Sequence, residues 1–230
     1  MVITVVATQA HGTFVKNLGR VQALQTIFDA DSLRPRQNPH GRGRGTSSAE
    51  EKELLRAVAV FAIGVLDAYL SDVAAEVLVA QLERARTPNA DARSLLRRIL
   101  KEIDTLPFEL ALTSDSDERR RLAQEAISEH LTNRVSNHGA KGVAGTLGRL
   151  GCTDFNWDVV DMTPFPTLRT SANRGAAQVL DIWTENRHKI IHQGVAVVVK
   201  AEQSRELITF VKALARHVDR EAETAASATS

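Results

Sequence analysis

Near the end of an apolar helical stretch the chain reads Arg187-His188-Lys189-Ile190-Ile191-His192-Gln193-Gly194. Arg187 supplies a permanent cation, and His192 a group that titrates near neutral pH. Together they suit cleavage of an RNA phosphodiester by attack of the 2'-hydroxyl on the adjacent phosphorus. That reaction needs one group to move a proton and another to hold the charge that builds on the phosphoryl oxygens. His192 answers the first need and Arg187 the second, with His188 to orient or polarise the site and Lys189 to meet substrate. The scheme requires no metal or other cofactor, and the segment lacks the carboxylate cluster of a magnesium or manganese site.

Plainer readings stand beside this one. Cations are favoured at a helix C-terminus, so Arg187 and His192 can simply close their helix. His188 and His192, four apart, can face a metal, but no glutamate lies between them as in a His-Glu-x-x-His helix, and no third ligand is evident. At about 100° per residue, Arg187 and His192 lie roughly 140° apart around a helix, an awkward pair within one subunit. They converge on one phosphate if the helix loosens before Gly194, or if a second copy faces the first across a two-fold axis.

The elements that position the motif are helices. Phe14, Leu18, Val21, Leu24, Ile27 and Phe28 repeat at helical spacing, which predicts an accessory helix within residues 1–30, followed by a basic Pro/Gly loop from Leu33 to Gly45, the two forming an accessory segment over 1–45. Within that loop Arg42 and Arg44 are candidate phosphate contacts. Ser48 and Glu51 predict a capping box and a long helix to about Arg86, with Leu54, Val58, Phe61, Val65, Tyr69, Val73 and Val77 inward and further apolar residues widening the stripe. Residues 87–150 read as a helical insertion. Its arginines, Arg93, Arg97 and Arg98 with Lys101 and Arg119 to Arg121, read as solvated helix faces, with RNA contact the second reading should they border the cleft. Gly151 to Leu168 reads as a structured loop packing its aromatics on the bundle, Ser171 to Ile191 as the helix that carries the motif, and Glu202 to Glu221 as the closing helix. A disordered tail is expected over 223–230.

Composition bounds the rest. With 230 residues, 43% hydrophobic, 25% charged and only 4% aromatic, the chain reads as one all-α domain packed by Ala, Leu and Val. A net charge of +1 gives no overall field for nucleic acid, so any RNA contact must be local. The single Cys152 allows no intrachain disulfide and fits the cytoplasm, and no histidine is placed in sequence to activate it. The longest apolar run, Ala57 to Leu66, falls short of the ~20 residues a bilayer needs, so no membrane partner is expected.

Two long core helices, an Arg-His-x3-His motif at Arg187, His188 and His192, and a closing amphipathic helix resemble the HEPN superfamily of helical-bundle ribonucleases. Asp67-Ala68-Tyr69-Leu70-Ser71-Asp72 in the early helix, with Trp183 ahead of the motif, is most similar to the RiboL-PSP-HEPN group. The resemblance covers roughly residues 46–85 and 171–222, within a domain spanning 46–222. It implies an up-and-down four-helix bundle and a homodimer whose two motifs share one RNA-cleaving cleft. It also implies work in toxin–antitoxin pairs, phage defence or RNA processing, with an antitoxin or defence-complex partner. The competing class is a non-catalytic module of the same shape that binds RNA, nucleotide or a partner protein.

Overall fold

A computed structural model describes residues 9–30, 48–83, 90–102, 110, 112–134, 139–152, 155–169 and 175–227, and they are all-helical. Among the described residues seven α-helices run in order: α1 Gln9–Asp29, α2 Ala49–Glu83, α3 Ala90–Glu102, α4 Ser116–Arg134, α5 Gly139–Arg149, α6 Ala176–Gln193 and α7 Ala201–Ser227. No strand occurs among the described residues. Arg42 and Arg44 lie outside them.

The capping box starts α2 as predicted: the Glu51 amide donates to Ser48 Oγ at 3.1 Å, and the Ser48 amide donates to Glu51 Oε2 at 2.9 Å. From there α2 is the axis of the bundle, packed by α1, α4, α5, α6 and α7. Its buried residues, among them Leu55, Val58, Ile63, Leu66, Tyr69, Leu70, Val73 and Leu78, surround most of its circumference. By length and composition α2 is apolar enough to cross a membrane, yet half of its most apolar window is buried in the bundle.

Side-chain contacts fix the directions. Phe14 stacks on Tyr69, and the Ala10 amide donates to Glu76, so α1 runs against α2. Ser128 donates to Asp72 and Arg120 meets Glu83, so α4 does too. The pairs His11 with Asp219 and Asp29 with Arg205 set α1 against α7 as well, which leaves α7 running with α2. Both α1 and α4 therefore belong to the common core, with Phe14, Leu18 and Val21 from the first and Ile127 and Leu131 from the second buried in it. Neither is peripheral, although the sequence pattern reads one as accessory and the other as inserted.

Three further differences have local causes. Phe61, expected inward, is 53% exposed. It shares a sector of α2 with Ala57, Gly64, Val65 and Ala68, each only partly buried, because no described helix packs there. The helix expected from Val143 begins earlier, at Gly139, where the Ala140 amide donates to Asp181 at 2.7 Å and φ is +70°. And α7 continues through the expected tail boundary to Ser227, because Ala222 and Ala225 still find core to bury against.

The loop from Phe155 to Arg169 does pack its aromatics. Phe155 lies 4.5 Å from the buried His217 ring, Phe165 meets Phe210 edge-on at 5.8 Å, and Glu206 accepts the Thr167 and Leu168 amides. These contacts anchor the described loop, 155–169, along α7.

Candidate functional site

Gly175 opens α6, its amide donating to Gln178 Oε1 at 2.7 Å. Ala176, Val179, Leu180 and Trp183 are buried, whereas beyond Trp183 no residue of the helix is. The last two and a half turns thus emerge from the core carrying the motif. Gly194 ends the helix in the left-handed conformation, φ 61° and ψ 20°, with its amide and that of Val195 both donating to Lys189 O. The residues after it are held to α2 by Arg56, whose Nε donates to Val197 O at 2.8 Å.

The helix stays regular through Gln193, so the two ends of the motif face different ways. Arg187 turns toward α2, where Nη1 donates to Asp67 Oδ2 at 3.0 Å, with side chains 27% and 17% exposed. Its Nε is buried and meets no acceptor among the described residues. His188 and His192 lie on the outer face, both exposed, with ring centroids 4.9 Å apart. Their juxtaposition follows from the i, i+4 spacing. Lys189 lies alongside and meets Glu185 at 3.5 Å, so part of its charge is already answered.

The site therefore offers a guanidinium restrained by one carboxylate, and two imidazoles open to solvent at the same helix end. A fork of N–H donors on a partly buried arginine suits the oxygens of a phosphate. An exposed imidazole suits proton transfer near neutral pH. Of the residues near Asp67 on α2, Tyr69 points elsewhere: it is buried and donates to Asp219, and burial reinforced by that aspartate raises its phenol far above the usual range. Asp72 also faces away, accepting from Ser128, and burial raises its carboxyl above the ordinary range against the opposing effect of that bond. Cys152 is half-buried and donates to Glu221 O, with its thiol pushed up to about 11 by burial and then by the Glu221 charge. Little thiolate exists there at neutral pH, so it is no nucleophile.

Asp67 belongs to the segment that carries the resemblance, and the structure brings it to Arg187 across 120 residues of chain. Arg56 gave no sequence signal, because its acceptor is a backbone carbonyl 141 residues away. Among the described residues no three His, Cys, Asp or Glu side chains gather as a metal site. No family model, curated protein or solved structure matches the chain.

Proposed function

We propose that this chain is a metal-independent endoribonuclease of the HEPN type, acting as a homodimer in which two motifs share one cleft. The observation that carries the reading is the restrained Arg187 beside the exposed pair His188 and His192 at the free end of α6. Arg187 stabilises the charge on the phosphoryl oxygens, His192 transfers the proton, and His188 orients or polarises the site. The products are a 2',3'-cyclic phosphate, or its opened form, and a 5'-hydroxyl.

The dimer follows from what one copy lacks. With α6 regular to its end, Arg187 and His192 diverge by about 140° around the axis and about 7.5 Å along it, so a second motif is the simplest source of a converging partner. Apolar surface suited to that contact lies nearby. Phe61 sits on α2 between Arg56 and Asp67, which hold the two sides of the motif, and Ile191, Val195 and Val198 are 47%, 46% and 78% exposed. The test is cleavage of single-stranded RNA by Arg187→Ala and His192→Ala proteins: each abolishes cutting while the dimer persists, with the melting temperature unchanged in His192→Ala and lowered by roughly 3–6 °C in Arg187→Ala, which loses the bond to Asp67, and wild-type activity survives EDTA.

A further inference from the structure

The exposed face of α3 carries a row of cations. The helix buries Ala92, Leu95 and Ile99, while Arg93, Arg97, Arg98 and Lys101 are all exposed. At 100° per residue, Arg93, Arg97 and Lys101 span an 80° arc centred opposite the buried stripe, and Arg98 extends the arc to about 140°. The helix's own carboxylates, Asp91 and Glu102, fall on the flank, where Glu102 lies 3.4 Å from the buried His130.

Some cations elsewhere in the chain are answered by carboxylates. Arg121 is held between Glu118 and Glu125, Arg205 meets Asp29, Arg120 meets Glu83, Arg187 meets Asp67 and Lys189 meets Glu185. None of the four α3 cations meets a carboxylate among the described residues. In a protein of net charge +1, that makes this face a local concentration of positive charge among the described residues. Three of the four are arginines, whose forks suit phosphate oxygens. Arg93, Arg97 and Lys101 recur every ~6 Å along the axis, so an extended strand laid along the helix meets them in turn. A lipid surface is a poorer fit, because Leu95 and Ile99 are buried in the bundle and only Leu100, 46% exposed, offers a large apolar side chain to solvent.

We infer that Arg93, Arg97 and Lys101, with Arg98 beside them, form a phosphate-binding track for single-stranded RNA outside the motif. Helix α3 packs on α5, which packs on the motif helix α6, so the track belongs to the same assembly as the site. The identity of the strand as RNA rests on the ribonuclease reading; the track itself rests on the charge geometry.

The test measures binding of a fluorescein-labelled oligouridine by anisotropy across a salt series. It compares His192→Ala protein, which leaves the RNA whole, with the same protein carrying Arg93→Gln, Arg97→Gln and Lys101→Gln. Each lost single-strand phosphate contact removes ~0.7 from the slope of log affinity against log salt, so the triple change lowers it by about 2. A fourfold rise in salt then costs the parent roughly 16-fold more affinity than the variant. Lysine at all three positions retains the slope, and circular dichroism confirms that these exposed changes leave the fold intact. An unchanged slope, no binding by the parent, or parent binding only to vesicles of anionic phospholipid overturns the inference. Slope loss in a protein that never cuts RNA keeps the track and removes the ribonuclease; cutting with an unchanged slope does the reverse.

Discussion

Replacing Asp67 with alanine takes away the group that holds Arg187 in place. The bond lost is charge-assisted, 3.0 Å long and between side chains only 27% and 17% exposed. Hydrogen bonds to charged groups contribute about 1.5–3 kcal/mol, and fully exposed ion pairs at most about 1 kcal/mol. Residual water access to the guanidinium puts this one near the lower figure, about 1.5 kcal/mol. For a chain of this size that is a fall of roughly 3–6 °C in Tm. On the ribonuclease proposal cleavage suffers more than stability, because a charge stabiliser displaced by ~1 Å costs on the order of 100-fold in rate. The assay pairs thermal melts with single-turnover RNA cleavage for Asp67→Ala, Arg187→Ala and the double variant. Coupling of about 1 kcal/mol or more in stability, with a large loss of cleavage rate in Asp67→Ala, is the expected outcome. Additive stabilities within about 0.5 kcal/mol, with an undiminished rate, refute the positioning role.

Three other perturbations follow. Phe61→Glu places a charge in the apolar sector assigned to the partner copy and weakens dimerisation by at least ~100-fold, equivalent to about 2.7 kcal/mol; sedimentation reads it directly as a monomer that no longer cuts. Gly139→Ala forces a side chain into φ +70° and brings its Cβ to 2.5 Å from Asp181 Oδ1, the acceptor of the Ala140 amide. The combined strain and weakened bond cost about 1–3 kcal/mol, seen as a lower urea midpoint at unchanged m. Burial raises the Asp72 carboxyl, so the folded chain keeps that proton to higher pH than the unfolded chain, and stability falls as pH climbs through the interval. Asp72→Asn, which can still accept from Ser128, therefore melts higher than wild type at neutral pH and loses the advantage below the ordinary carboxylate range.

Much of the fold was legible because its signals are local. The Ser48–Glu51 box, the α2 run, Gly194 after the motif and the aromatics of the 155–169 loop all read through to the structure. Which sector of α2 stays open is not legible: a helix apolar on nearly every side carries no periodic mark of which neighbours will cover it, so the pattern places Phe61 inward although it is exposed. Membership of the core by α1 and α4 was hidden for a related reason, since their contacts with α2 join residues far apart in sequence. In the site, the His188–His192 face was fixed by spacing alone. The direction of Arg187 was not, because it depends on Asp67 from another helix, and the hold of Arg56 on Val197 depends on a backbone oxygen that no sequence pattern marks.

The central claim is tested most directly by incubating single-stranded RNA with purified wild-type and His192→Ala proteins in EDTA and identifying the ends of the fragments. The account predicts cutting by wild type alone, with 2',3'-cyclic phosphate and 5'-hydroxyl ends. Intact RNA with wild type, cutting that persists in His192→Ala, or fragments with 5'-phosphate ends contradicts it.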